Sequence, residues 1–365
     1  MAYTTIDDPS EYFHTRLYSG NNSGSGLAVT NNANSGNFQP DWVWIKRRDS
    51  AGSSGLHDSN RGSTKRLKSD ATDAEDTNSN ILASFDSNGF TIGDNSGNYN
   101  ASGTYVAWQW KANGGTTTTN NDGSITSTVQ ANTTAGFSIL TYSANATAGA
   151  TVGHGLGTTR AVVILKKRSG TGDGNWMVGH KAYVGNAAEN VALDGNSYVV
   201  SADDQAGSTF YRTAFTSTVF TLGDGQAGDW TGRTNRSGYT MVAYCFAEIK
   251  GYSKMGSYTG NGNADGPFIY TGFKPAWLLF KQTNASGENW RIFDNKRSPF
   301  NQVDDHLFAS SNSAENDETG CDFLSNGFKW KNSDTHQNGS GATYIYMAFA
   351  EHPFVSSKGV PVTAR

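Results

Sequence analysis

Carboxylates are where an enzyme in this chain would have to be sought. Acidic residues gather at Asp70/Asp73/Glu75/Asp76, Asp203/Asp204, Asp304/Asp305 and Glu315/Asp317/Glu318. Glycoside hydrolysis needs two carboxyl groups about 5–10 Å apart. These clusters lie among Ser, Asn and Thr in loop-like stretches, without counterparts at matching places along the chain, and read as solvated loop charges. The histidines (His14, His57, His154, His180, His306, His336 and His352) show no zinc-ligand spacing. Gly24-Ser25-Gly26 and Gly153-His154-Gly155-Leu156-Gly157 carry little weight in a chain with 43 glycines. A phosphate-binding loop also needs a helix after it, and here Thr158-Thr159-Arg160 and a β run follow. The residues predict no catalytic constellation, no metal and no cofactor.

One polar pair recurs. Asp58-Ser59-Asn60-Arg61 matches Asp294-Asn295-Lys296-Arg297, whereas the intervening copy reads His180-Lys181-Ala182-Tyr183. An Asp that accepts backbone N–H bonds in a turn, with Arg alongside, is a common local brace. Its loss in one copy suits that role better than a shared ligand site. Trp108, Trp110, Phe246 and Phe349 alternate as a core face would, while Trp230 lies in the loop sequence Gly228-Asp229-Trp230-Thr231-Gly232-Arg233 and is the candidate surface contact. Cys245 and Cys321 make no disulfide framework and are expected as free thiols.

The elements that would position these groups are written three times. Phe13-His14-Thr15-Arg16-Leu17-Tyr18-Ser19-Gly20-Asn21 returns as Phe137 to Asn145 and again as Tyr252 to Asn261. An apolar run closed by lysine follows in each copy: Asp41-Trp42-Val43-Trp44-Ile45-Lys46, Ala161-Val162-Val163-Ile164-Leu165-Lys166 and Ala276-Trp277-Leu278-Leu279-Phe280-Lys281. Next come Asn88-Gly89-Phe90-Thr91-Ile92-Gly93, Phe220-Thr221-Leu222-Gly223 and Asn326-Gly327-Phe328-Lys329-Trp330, and then aromatic closing strands at 105–111, 241–248 and 344–351. Four blocks in one order, three times over, define units 13–111, 137–250 and 251–351. Residues 1–12 form a leading segment, 112–136 a Gly/Thr/Asn-rich linker and 352–365 a tail. Units two and three, separated only by Lys250-Gly251, are expected to be stiffly joined, and unit one less so.

The runs are short, β-branched or aromatic, and bounded by Gly, Asn, Asp and Pro, which reads as strands. Trp42, Trp44 and Lys46 share one face and Val43 and Ile45 the other; both faces being apolar predicts cover on two sides. Gly, Asn and Thr make up about a third of the chain and rank low in helix propensity. Asp8-Pro9-Ser10-Glu11 has the N-cap, Pro and Glu of a helix start and predicts one turn. The expected fold is all-β: three tandem β-sandwich modules, jelly-roll or lectin-like, with little helix. Aromatics at 12% argue for packed cores and against disorder. A net charge of −4 leaves no basic footprint for nucleic acid. No apolar run is long enough for a membrane span, and the polar, acidic first ten residues are unlike a secretory signal.

The motifs Thr5-Ile6-Asp7-Asp8-Pro9-Ser10, Phe38-Gln39-Pro40-Asp41-Trp42-Val43-Trp44-Ile45-Lys46, Asn88-Gly89-Phe90-Thr91-Ile92-Gly93, Tyr105-Val106-Ala107-Trp108-Gln109-Trp110-Lys111, Tyr258-Thr259-Gly260-Asn261, Gly272-Phe273-Lys274-Pro275 and Ala348-Phe349-Ala350-Glu351 cover most of the chain. In that order they resemble a triple-repeat β-domain family of tailed bacteriophages, those of marine and cyanobacterial hosts among them. The family's members look like virion structural proteins of the tail-fibre or head-decoration type. The resemblance implies a non-enzymatic protein of the virion surface, assembled in the host cytoplasm. Its partners would be other virion proteins, further copies of itself (a trimer, by analogy with phage fibres) and a host-surface glycan. The alternative is a lectin-like module for host polysaccharide, and after it a capsule depolymerase. On this reading the leading segment, with Asp8, Pro9, Glu11 and Tyr12, docks onto the particle while the β units project.

Overall fold

Each unit is built on the same four-stranded antiparallel sheet, seen in a computed structural model that describes residues 2–32, 37–93, 99–169, 174–182, 191–192, 216–225 and 232–361. An opening strand (Phe13–Gly20, Phe137–Ser143, Ser253–Thr259) pairs with the closing strand (Gly103–Trp110, Thr240–Ala247, Thr343–Pro353). The closing strand pairs on its other side with the lysine strand (Trp42–Arg47, Arg160–Lys167, Phe273–Gln282), which carries an edge strand (Gly55–Asp58, Met177–His180, Arg291–Asp294). Register makes Trp42, Val162 and Trp277 equivalent, each opposite an aromatic of the closing strand: Trp110, Phe246 and Phe349. The fold is all-β, as the sequence predicts.

The second layer differs between units. Unit one has Leu27–Thr30, Gly89–Ile92 and Leu82–Asp86; unit two has Thr151–Gly153 paired with Val219–Thr221. In unit three the sheet runs on through Val303–Phe308, Asn316–Leu324, Gly327–Trp330 and Phe268–Tyr270, so both layers are one eight-stranded, near-closed sheet. Helix among the described residues is limited to short turns, including the expected one at Pro9–Glu11, whose cap Asp8 Oδ1 accepts from Ser10 N at 3.0 Å.

Alternation along the strands splits the apolar residues between two kinds of core. Val43 and Ile45 face a core private to unit one, and matching private cores fill units two and three. Trp42, Trp44, Trp108, Trp110, Phe137, Tyr244, Phe246, Trp277 and Phe349 face a single core shared by all three units. Phe349 meets Trp110 at 5.7 Å and Phe246 at 5.8 Å between ring centroids, so all three closing strands converge at one place. The four aromatics expected as core are therefore core, but at the centre of the molecule. The units form a closed ring of three, where a series of modules was expected, and the apolar inner faces of the three sheets cover one another.

Two expectations about connections change with this. Residues 112–136 are not a free linker: Thr118–Asn120 and Ser127–Asn132 add to the inner sheet of unit two beside its opening strand. Unit one, too, is joined to the others through the shared core. Asp41 fixes the start of this connection, its carboxylate accepting from the backbone of Ala112, Gly114 and Gly115 at 2.7–2.9 Å. The leading segment is also part of the ring. Ile6 and Pro9 are buried, Tyr3 donates to Gly272 O at 2.8 Å, and Asp7 Oδ1 accepts from Ser357 N at 2.6 Å. Both cysteines are buried free thiols, as expected.

Candidate functional site

The recurring Asp/Arg pair sits at the boundaries between units. In unit one, Asp58 Oδ1 accepts from Arg61 N at 2.8 Å, and Arg61 Nε reaches Asp58 Oδ2 at 2.5 Å. Arg61 continues to Glu75 at 3.0 Å, Glu75 also binds Arg168 of unit two at 2.9 Å, and Tyr244 of unit two donates to Asp58 at 2.7 Å. Unit three repeats the arrangement towards unit one. Arg297 Nε binds Asp294 at 2.6 Å and Arg297 Nη1 binds Glu315 at 3.0 Å; Glu315 binds Arg48 at 2.6 Å, and the Trp108 indole donates to Asp294 at 3.0 Å. This is a brace between units, where the sequence suggested a local one. Burial works against the charge on Arg61, and Asp58, Tyr244 and Glu75 more than restore it, so its pKa is raised. Burial also opposes ionisation of Glu75, but Arg168 and Arg61 hold its pKa below the ordinary value.

Glu75 and Glu315 were expected as solvated loop charges without counterparts. They are equivalent to each other and only slightly exposed, and the backbone around them repeats too: Glu75 N donates to Arg168 O and Glu315 N to Arg48 O. Loops of different length hide this match in the sequence.

Among the described residues, the boundary between units two and three carries other residues at the network's positions. His180 stands at the Asp position, Met347 at that of Tyr244 and Trp108, and Thr283 at that of Arg168 and Arg48. His180 Nε2 lies 3.0 Å from Tyr346 O, and burial pushes its pKa down to about 4, so it is neutral. An acid without its arginine would be an unpaired buried charge, so the substitutions go together.

The lysine that closes each apolar run is buried. Lys46 Nζ donates to Gly52 O at 3.2 Å and to Ser311 O of unit three at 2.8 Å; Lys166 Nζ donates to Ala71 O of unit one at 3.0 Å and to Gly174 O; Lys281 Nζ donates to Glu288 O at 2.6 Å. Burial pushes Lys46 and Lys281 down to about 8. Low-pKa amines can act as nucleophiles, but these are buried and donate to backbone carbonyls.

Two further groups merit description. Asp304, Asp305 and Asp317 bring carboxylate oxygens within 4.8 Å of one another. Burial and then Glu315 raise Asp305, with Arg297 and Arg48 as the opposing charges. The other group is a cleft of about 690 Å³ between units three and one, lined by Asp7, Asp8, Ser10, Phe13 to Leu17, Asn32, Ala276, Asn295, Lys296 and Ala350 to His352. The expected docking residues lie at its end or beside it. Asp8 caps the turn and lines the cleft, Pro9 is buried, Glu11 is exposed, and the Tyr12 ring meets Tyr252 edge-on at 6.0 Å. Trp230 lies outside the described residues. The cleft itself carries no sequence motif; its signal would have been the missing partner of the first opening strand.

The chain belongs to the family described as a domain of unknown function, DUF7483, which matches residues 8–353. That span runs from the cap of the first turn to the end of the last closing strand, so the match takes in all three units of this chain. No curated protein and no solved structure matches the chain.

Proposed function

We propose that this protein is a non-enzymatic structural component of the bacteriophage virion surface, a tail or head fibre or a capsid decoration, that makes assembly contacts with other virion proteins. The observation that carries the reading is the use made of its ionisable groups. Asp58, Arg61, Glu75, Asp294, Arg297 and Glu315 join units to one another, around one shared aromatic core. Such a body resists deformation and presents its variable outer layers, which suits a particle component. The phage assignment itself rests on the motif resemblance. Purified particles analysed by quantitative mass spectrometry test it: a fixed copy number per particle is expected, a few for a tail, tens for head fibres or hundreds for a decoration. Absence from washed particles would overturn it.

A second reading has its own support. Phe268 and Tyr270 project from the same side of an outer strand of unit three and are 45% and 54% exposed, with the Tyr3 hydroxyl 3.1 Å from that of Tyr270. Exposed aromatic faces with polar handles stack on sugars, so host polysaccharide is the alternative partner. A glycan array without binders would remove it.

A further inference from the structure

We propose that the cleft between units three and one receives an extended polypeptide segment of a partner protein, which adds to the free edge of the strand Phe13–Gly20 as an antiparallel strand.

The ring supplies its own template. In unit two the opening strand is paired on both sides, with the closing strand and with Ser127–Asn132 in the register Asn132↔Phe137, Gln130↔Ile139 and Thr128↔Thr141. In unit one the equivalent strand has the closing strand on one side and the cleft on the other. The backbone orientation is the same in both. Lys111 N donates to Tyr12 O at 2.9 Å just as Ala247 N donates to Gly136 O at 2.7 Å. Antiparallel alternation then turns the N–H and C=O groups of Phe13, Thr15 and Leu17 outward, as it turns those of Phe137, Ile139 and Thr141 toward Ser127–Asn132. The cleft is lined by the five consecutive residues Phe13 to Leu17, which is the stretch such a strand would cover.

The opposite wall repeats the template as well. At the boundary of units one and two, Gln130 Nε2 donates to Ser59 Oγ at 3.0 Å, and Asn60 Nδ2 donates to Thr128 O and Ile139 O at 3.1 and 3.0 Å. Their equivalents in unit three are Asn295 and Lys296, both lining the cleft. Asn295 is 3% exposed, and its Oδ1 has no hydrogen-bond partner among the described residues. A buried amide oxygen left so is destabilising; a donor on the incoming strand, at the place of Gln130, would satisfy it. At the third boundary the position equivalent to Thr15 is closed differently, Met255 N donating to Glu248 Oε1 at 2.9 Å. Glu351, the equivalent of Glu248, is held instead by Lys274 at 2.5 Å. The cleft mixes Arg16 and Lys296 with Asp7, Asp8 and Glu351, so it favours neither sign. The occupant is accordingly a neutral, small-residue strand with a side-chain donor facing Asn295, of the kind Ser127–Asn132 exemplifies.

The inference stands apart from the particle-level reading and would survive its failure. Its test uses the full chain and a synthetic peptide with the sequence of residues 125–134. Saturable binding is expected, with amide exchange slowed at Thr15 and Leu17 while His14 and Arg16, already bonded to the closing strand, change little. The same peptide N-methylated at the residue corresponding to Gln130 should bind about tenfold more weakly or worse, one strand hydrogen bond being lost. Asn295→Leu should also weaken binding. No saturable binding, protection at sites other than Phe13 to Leu17, or indifference to N-methylation would each overturn the proposal.

Discussion

The hydroxyl of Tyr244 and the carboxylate of Asp58 meet at 2.7 Å across the boundary between units two and one, both buried. The contact belongs to a network in which removal of different members has different costs. Tyr244→Phe deletes a hydroxyl that donates to Asp58 and accepts from Arg61 Nη2 at 3.2 Å, at a cost on the order of 1.5–3 kcal/mol. Asp58→Ala leaves Arg61 buried without its nearest carboxylate and should cost about 3–5 kcal/mol. Urea unfolding of the two variants measures the order; a smaller loss for Asp58→Ala than for Tyr244→Phe would mean that the network does not hold the boundary.

His180 occupies the Asp position at a boundary whose arginine positions read Tyr183 and Thr283. His180→Asp, which restores the acid of the other units, should therefore destabilise the protein by several kcal/mol, since neither of those positions supplies the new carboxylate with an arginine. Thermal unfolding at pH 7 checks this, and a raised Tm would refute it.

Burial, the main cause in every case, pushes His14, His154 and His180 down to about 4 and His57 and His306 down to about 3. The unfolded chain takes up protons near pH 6.5 that the folded chain refuses. The stabilisation is therefore complete above about pH 6.5 and is lost as the pH falls towards 4, by on the order of 3 kcal/mol for each histidine. Urea midpoints measured from pH 4.5 to 8 should fall steeply on the acid side and be flat with respect to these groups above pH 7. His180→Gln should flatten the slope.

Lys46, Lys166 and Lys281 are buried with their amines on carbonyls. Brief acetic anhydride treatment of the native protein should leave these three unmodified while acetylating exposed lysines such as Lys358, and should modify all after unfolding in urea. Native-state acetylation of any of the three would contradict their burial.

Much of the fold is readable from residue order because β structure repeats every two residues. Trp42, Trp44 and Lys46 against Val43 and Ile45 declare a strand with two covered faces. What covers the tryptophan face is not declared, since a partner sheet of the same chain and that of a separate module would demand the same residues. Ser127–Asn132 was hidden by composition: in so Thr- and Asn-rich a stretch a polar strand looks like a spacer, although Ile125, Ser127 and Val129 alternate inward. Asp58 and Arg61 were visible as a pair because they are three residues apart on a tight turn. Glu75, Arg168 and Tyr244, which give the pair its purpose, come from distant stretches and loops of unequal length.

The central claim is that three units share one core and stand or fall together. Native-state amide exchange at Val106, Val242 and Ile345, one on each closing strand and all facing the shared core, measured against increasing denaturant, tests it most directly. A single cooperative opening predicts that the three amides converge on one free energy and one denaturant slope. Three separate energies, or one unit opening while the others stay protected, would contradict it.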